Sequence, residues 1–364
     1  MIRALVFALS AALAIALPAT AQDSLRIATY YPDLTRKGPG LMLRDILSGK
    51  DAQVAAVVAV LADLDADILV LTDLDFDHGR VALTALADAL AAAGAPYPHR
   101  FTSRPNTGMA TGLDMDGDGR LGGPGDAQGF GFFAGKAGLA VLSRFPIDEA
   151  GFRDFSGFLW ADLPGHIIEG SLAPPIQAAQ RLSSTAHWDV PVILPGGPLH
   201  LLIWRATPPV FDGVEDRNGR RNHDEAAFWL RLLDGALPFA PPSAPFVIIG
   251  DANLDPADGD GRRAAINALL TDPRLQDPAP QGQNSRMDAK GAAVFDTALY
   301  DFGGLRVDYV IPSADLTILG AGVVWPDDNA PNAATLAAAS RHRPVWVDIA
   351  LPAPRLAPPR LTAP

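Results

Sequence analysis

The chain has 364 residues, with 29 Lys and Arg against 41 Asp and Glu, a formal net charge of −12 and no cysteine. An acidic body of this kind repels nucleic-acid phosphates at long range, which argues against general coating of DNA or RNA but allows a local basic patch that holds one phosphate. Absence of cysteine excludes a disulfide framework, thiolate metal sites and a cysteine nucleophile, so any metal must sit on oxygen or imidazole ligands.

The first 21 residues carry Arg3, an apolar run over 4–17 and then Ala19-Thr20-Ala21, the order of a secretory signal peptide. A buried first helix is the competing reading, but the run is uncapped and nearly all apolar. The expectation is an exported protein, periplasmic or extracellular. No other stretch approaches the ~20 apolar residues of a membrane span. The mature length allows one large α/β domain or two smaller ones, no domain linker stands out within residues 22–350, and 351–364 form a Pro-rich tail with little to bury.

Residues 24–30 (SLRIATY) alternate like a strand, and 51–64 place Val54, Val57, Val58, Leu61 and Leu64 on one helical face. The run 67–72 (DILVLT) suits a strand buried on both faces, and a second helix is predicted over 81–92. Further strands are predicted at 139–143, 190–194, 199–204, 246–249, 306–311 and 345–349. Pro195-Gly196-Gly197-Pro198 joins two of them as a hairpin. Asn222-His223-Asp224-Glu225, an N-cap residue with Glu three positions later, predicts the start of a helix running to about Leu233. Strands and helices interspersed through hairpin and crossover links argue for a mixed-sheet α/β sandwich.

The apolar run from Phe246 to Ile249 ends in Gly250-Asp251-Ala252-Asn253. Side chains at i and i+2 leave a strand on the same face, so Asp251 and Asn253 can converge on one ligand. Asp suits an attacking water and Asn suits a phosphoryl oxygen; taken alone, the segment is equally a turn with an Asx cap. Asp114, Asp116 and Asp118, with Gly119 next, match the first half of an EF-hand calcium loop. Position twelve is Gly125, with Asp126 beside it as a substitute, and a solvated acidic turn is the alternative. Asp255, Asp258 and Asp260 echo the pattern and suit either a helix start near Arg262, which is the favoured reading, or a second bound ion. Arg217, Arg220 and Arg221 are the densest basic cluster, either a clamp for substrate phosphate or a loop paired with Asp212, Glu215, Asp216 and Asp224. His78, His166, His187, His200 and His223 show no metal-ligand spacing and read as structural or surface residues.

Taken in order, SLRIATY, DILVLTD, the segment from Gly138 to Ile147, the Asp251 step, Arg306-Val307-Asp308-Tyr309-Val310 and Ser340-Arg341-His342-Arg343-Pro344-Val345 resemble the endonuclease/exonuclease/phosphatase family. The resemblance covers roughly residues 24 to 350. It implies a deoxyribonuclease-I-like fold, a four-layer α/β sandwich of two packed mixed β-sheets flanked by helices, and cleavage of phosphoester bonds with Mg2+ or Mn2+ at the strand ends.

Asp251, Asn253 and His342 keep the residue types the resemblance implies. Tyr31 stands where an Asn near the metal is implied, Asp73 where a Glu is, Arg205 where a phosphate-binding His is, and Arg341 where an Asp precedes the terminal His. Glu to Asp keeps the charge but shortens the reach, and Arg205 binds phosphate yet transfers no proton at neutral pH. Asp308 either braces His342 or Arg341 or forms a buried ion pair. The expected site therefore comprises Asp251, Asn253, His342 and Arg205 for catalysis, and Asp73 with Asp251 for the metal. Asp114, Asp116 and Asp118 are the candidate Ca2+ ligands, and Arg217, Arg220, Arg221, Tyr31 and Arg341 the substrate contacts. The function expected is a monomeric, exported, metal-dependent phosphoester hydrolase acting on a phosphorylated substrate. The alternative is a degenerate relative that binds a phosphorylated ligand or calcium without turnover.

Overall fold

Runs such as 67–72 and 246–249 are nearly all Ile, Leu and Val, and strands of that composition are stable only where both faces are covered. The computed structural model, which describes residues 24–288 and 291–351, meets that demand with four layers. A six-stranded sheet runs in the order Ile318–Val323, Val345–Ala350, Ser24–Tyr30, Ile68–Leu74, Gly138–Ser143, His99–Phe101. A five-stranded sheet runs Asp308–Pro312, Phe246–Asp251, Gly197–Arg205, Ala186–Leu194, Arg153–Asp154. Each holds one parallel pair among antiparallel neighbours: Ser24–Tyr30 with Ile68–Leu74, and Gly197–Arg205 with Phe246–Asp251. The expected mixed-sheet sandwich is the fold that forms. The signal peptide expected at 1–21 and the tail beyond 351 lie outside the described residues.

Alternation sorts the strand side chains between layers. Ile27, Val70, Ile203, Val247, Ile249 and Val310 belong to the core between the sheets. On the outer faces, Leu69 and Leu71 pack under the helices Ala52–Leu64 and Val81–Ala92, and Trp204 and Ile248 under Arg217–Leu233 and Ala264–Leu270. Asp51 caps the first of these helices, accepting from the Val54 amide at 2.9 Å. Among the described residues no helix is long and apolar enough to cross a membrane.

The segment from Asn222 to Glu225, expected to start a helix, lies inside one that begins at Arg217. Both pattern residues turn inward instead. Asn222 Nδ2 donates to the carbonyls of Thr207 and Ala252 at 2.8 Å each. Buried Glu225 accepts from the Ser184 amide at 2.6 Å, the Ser184 hydroxyl at 2.7 Å and the Thr207 amide at 2.7 Å. A helix cap and a buried tertiary anchor use the same residue types because both satisfy stranded backbone groups. Asp255 likewise accepts from Ala257, Asp258 and Arg306 amides, while the next helix starts at Ala264.

Candidate active site

Three strands of the five-stranded sheet bring charge to one row. Arg205 pairs in register with Asp251 across the parallel ladder, and Asp251 with Asp308 across the antiparallel one. Register partners share a face, and alternation assigns this face to the core between the sheets. The row is therefore the rim of that core, where apolar side chains give way to polar ones. From the opposite sheet comes Tyr31, one residue past Ser24–Tyr30, and also Asp73. Plain alternation would turn Asp73 toward the helices with Leu69 and Leu71. A register shift between Thr72 and Leu74, with φ of 59° at Asp73, breaks the alternation, and Asp73 meets Arg205 at 3.0 Å.

On the five-stranded side, His342 Nδ1 lies 2.8 Å from Asp308 Oδ2, which also accepts from the Thr297 hydroxyl at 2.8 Å. The carboxylate that orients the imidazole thus comes from a neighbouring strand, and Arg341 does not remove it; the Arg341 guanidinium instead lies over the Tyr300 ring at 5.8 Å. Burial alone would lower the His342 pKa, but the charge and hydrogen bond of Asp308 outweigh it and hold it above 6.5. Asp251 is fully buried, and burial followed by the like charge of Asp308 pushes its carboxyl up to about 7. Asn253, at φ 48°, donates its amide hydrogens to Asp251 Oδ2 and the Ala206 carbonyl, both at 2.9 Å. Both side-chain donors are spent, so Asn253 orients Asp251 and has no side-chain hydrogen left for a phosphoryl oxygen.

On the other side, Arg205 Nη1 faces Asp73 at 3.0 Å and the Ala137 carbonyl at 3.1 Å. Its Nη2 donates to the Tyr31 hydroxyl at 3.1 Å, and its Nε lies 3.6 Å from Asp251 Oδ2. Burial would lower the guanidinium pKa, but Tyr31, Asp73 and Asp251 together hold it above the ordinary value, so the group stays charged. Burial raises the Asp73 carboxyl and keeps the Tyr31 phenol neutral. The Tyr31 ring stacks on His342 with centroids 4.1 Å apart and planes 7° apart, which couples the two sides.

The residues present do not fit a divalent cation at Asp73 and Asp251, where the sequence led us to expect one. The guanidinium carries its charge between the two carboxylates, 3.0 Å from Asp73 and 3.6 Å from Asp251. Asp73 Oδ2, buried without a hydrogen-bond partner, is one oxygen rather than a coordination shell. Two unit charges 4 Å apart interact by about 4 kcal/mol at an effective dielectric of 20, so a divalent ion beside Arg205 meets roughly twice that in repulsion.

Two cavities meet at Arg205 and Tyr31. One, of about 760 Å³, is also lined by Asn253, His342, Tyr300 and Phe302; the other, of about 720 Å³, by Asp73, Lys136, Asp116 and Arg217. Asp251 lies beneath their floor. The three clustered arginines part company: Arg217 reaches the second cavity while bonded to Gln180 at 2.7 Å, whereas Arg220 bonds the Glu215 and Ile167 carbonyls. Arg221, 4 % exposed, is consumed by the carbonyls of Gln128, Arg181, Leu182 and Ser183. Oxygen atoms of Asp114, Asp116 and Asp118 lie within 4.8 Å of one another. Asp126 is tied to the Met115 and Gly123 amides. Three of the scattered histidines are engaged elsewhere: His187 with Ser183 and the Glu225 carbonyl, His200 with Asp189, and His223 with Asp224. Sequence reasoning passed over Tyr300 and Phe302, which stack at 5.3 Å on the cavity wall, and Lys136; no motif marks any of the three.

Comparison with known proteins agrees with this fold. The family model described as Endonuclease/Exonuclease/phosphatase family matches residues 46–342. Among solved structures, an endonuclease/exonuclease/phosphatase from Beutenbergia cavernae DSM 12333 is similar with a TM-score of 0.53 at 18% identity, covering 92% of this chain and 74% of that one. A family protein from Leptotrichia buccalis C-1013-b gives 0.50 at 14%, covering 89% and 99%. ANGEL2, a 2′,3′-cyclic phosphatase in complex with adenosine-2′,3′-vanadate, gives 0.50 at 13%, covering 90% and 96%. No curated protein sequence matches the chain.

Proposed function

Because the chain belongs to the endonuclease/exonuclease/phosphatase family, we propose that it is a phosphoester hydrolase whose phosphoryl group sits between His342 and Arg205. The observation that carries this reading is the Asp308–His342 pair at 2.8 Å, on the wall of a cavity that Arg205 shares. With Nδ1 held by Asp308, His342 presents Nε2 as its free nitrogen, and the Asp308 charge and hydrogen bond raise its pKa and so favour the imidazolium. In the proposed step, cavity water attacks phosphorus as the bond to the leaving oxygen breaks. His342 Nε2 gives its proton to that oxygen, and the proton of the water ends on the phosphate product. Arg205 holds charge on the phosphoryl oxygens through the remaining Nη2 hydrogen. Asp251 and Asn253 position Arg205 from below.

The two cavities that meet at Arg205 favour a diester, with one ester arm in each. The test compares hydrolysis of bis(4-nitrophenyl) phosphate and 4-nitrophenyl phosphate by the purified protein and by His342→Ala. Equal rates for the two proteins would remove the hydrolase reading. A second reading, binding of a phosphorylated ligand without turnover, draws on the ion pairs that neutralise the floor; saturable binding of inorganic phosphate with no hydrolysis would select it. Export rests on residues 1–21, and cell fractionation tests it. Calcium at Asp114, Asp116 and Asp118 predicts a melting temperature that rises with added Ca2+.

A further inference from the structure

Family resemblance implies a divalent cation at the strand ends, and the residues standing there do not accommodate one. We infer that the Arg205 guanidinium is the resident cation of this centre, and that the protein binds a phosphoryl group there without a divalent metal. The inference rests on reading the centre as a phosphoryl site.

The geometry behind it is a set of commitments made to one guanidinium. Asp73 lies 3.0 Å from Nη1 and Asp251 3.6 Å from Nε, so the acidic side chains that would hold a metal are paired with a charge that cannot dissociate. Tyr31, in place of a ligand with a free carbonyl oxygen, accepts from Nη2 at 3.1 Å, and its ring lies 4.9 Å from the guanidinium carbon. The cation is held by covalent tether, by the Ala137 carbonyl and by an aromatic face at once. Those contacts come from both sheets, so the charge is fixed before any ligand arrives. A guanidinium also matches phosphate geometry, binding through planar N–H donors where a metal binds by polarising oxygen. The changes from the family pattern at 31, 73 and 205 are thus mutually consistent: one introduces the cation, and the others partner it.

The test titrates Mn2+ into chelator-treated protein carrying Asp114→Asn and Asp118→Asn, which removes the acidic loop as a competing ligand, and follows free Mn2+ by electron paramagnetic resonance. Inorganic phosphate is titrated calorimetrically with and without EDTA. The inference expects no Mn2+ bound at micromolar concentration and a phosphate Kd that changes less than twofold with EDTA. It also expects Arg205→Ala to gain one Mn2+ that is lost again on adding Asp73→Ala. One Mn2+ bound before Arg205 is changed, and lost on Asp73→Ala, overturns it; so does a phosphate Kd at least tenfold weaker in EDTA. Should Arg205→Ala not fold, the stoichiometry of the Arg205-containing protein decides alone. Absence of phosphate binding in either buffer overturns the phosphoryl half of the inference together with the proposed hydrolase, while the Mn2+ count alone decides whether Arg205 stands in for a metal.

Discussion

On the five-stranded side of the cleft, Asp308 holds His342 and Asn253 holds Asp251 through hydrogen bonds of 2.8 to 2.9 Å, and an imidazole stands at the cavity wall. On the other, Asp73 and Tyr31 enclose a guanidinium whose donors are mostly spent. Both sets sit at the ends of buried strands, and both exclude water from charged groups. The first keeps a proton that can move; the second fixes a charge that cannot. On the proposed reading, proton transfer and charge stabilisation belong to different sides of this cleft, and each side can be altered while the other is observed.

The largest expected effect separates the sides outright: His342→Ala should lower kcat by roughly 10²- to 10⁴-fold, the usual contribution of a proton donor, with little change in KM. Arg205→Lys tests the other side. An ammonium keeps the charge but not the bonds to both Ala137 and Tyr31, and kcat/KM should fall on the order of 10²-fold. Asp308→Asn then probes how the proton is held. Activity that depends on the imidazolium is full below the folded pKa of His342 and falls as pH rises through it. Removing the carboxylate lowers that pKa, so the fall should move to lower pH and kcat should drop about tenfold, as read from pH–rate profiles and the NMR titration of the imidazole.

Stability offers a test that needs no substrate. The Asp251 carboxyl, pushed up to about 7 from 3.8, binds its proton more tightly in the folded than in the unfolded state. Its contribution to stability therefore decreases as pH rises from about 4 to about 7. Asp251→Asn should match the parent protein in melting temperature near pH 4 and exceed it by roughly 3 °C at pH 8. The smallest effect belongs to Tyr31→Phe, which removes one acceptor from Arg205 but keeps the stack on His342: about 1 kcal/mol, or under tenfold in kcat/KM.

The layers were legible in the sequence because alternation and apolar runs report burial directly. The helix Val81–Ala92 has the bounds its pattern predicts, and the hairpin after Leu194 turns at Pro195-Gly196. The strand Ile318–Val323 was not anticipated, because its ILGAGV sequence has two glycines and little alternation. Convergence of Asp251, Asn253 and His342 followed from strand ends, but their division of labour did not. Asn253 has the composition of a ligand donor and the surroundings of a brace. Asp73 reaches Arg205 only through an irregularity between Thr72 and Leu74, and a bulge has no residue signature here. Arg221 belongs to a basic cluster by sequence, yet its partners are carbonyls 38 to 93 residues away. Charge in a sequence says that a partner exists, not whether the partner is a ligand or the chain itself.

The register that sets Arg205, Asp251 and Asp308 side by side has a consequence for how this cleft changes over time. Each of the three occupies a terminal rung, so an exchange there leaves the apolar rungs behind it undisturbed. Exchange of a metal ligand for an arginine, or the reverse, therefore alters the charge balance at the rim rather than the packing of the core. Replacements in this row act on the buried charge balance as well as on the chemistry, while the apolar core that sets the strand register keeps its packing.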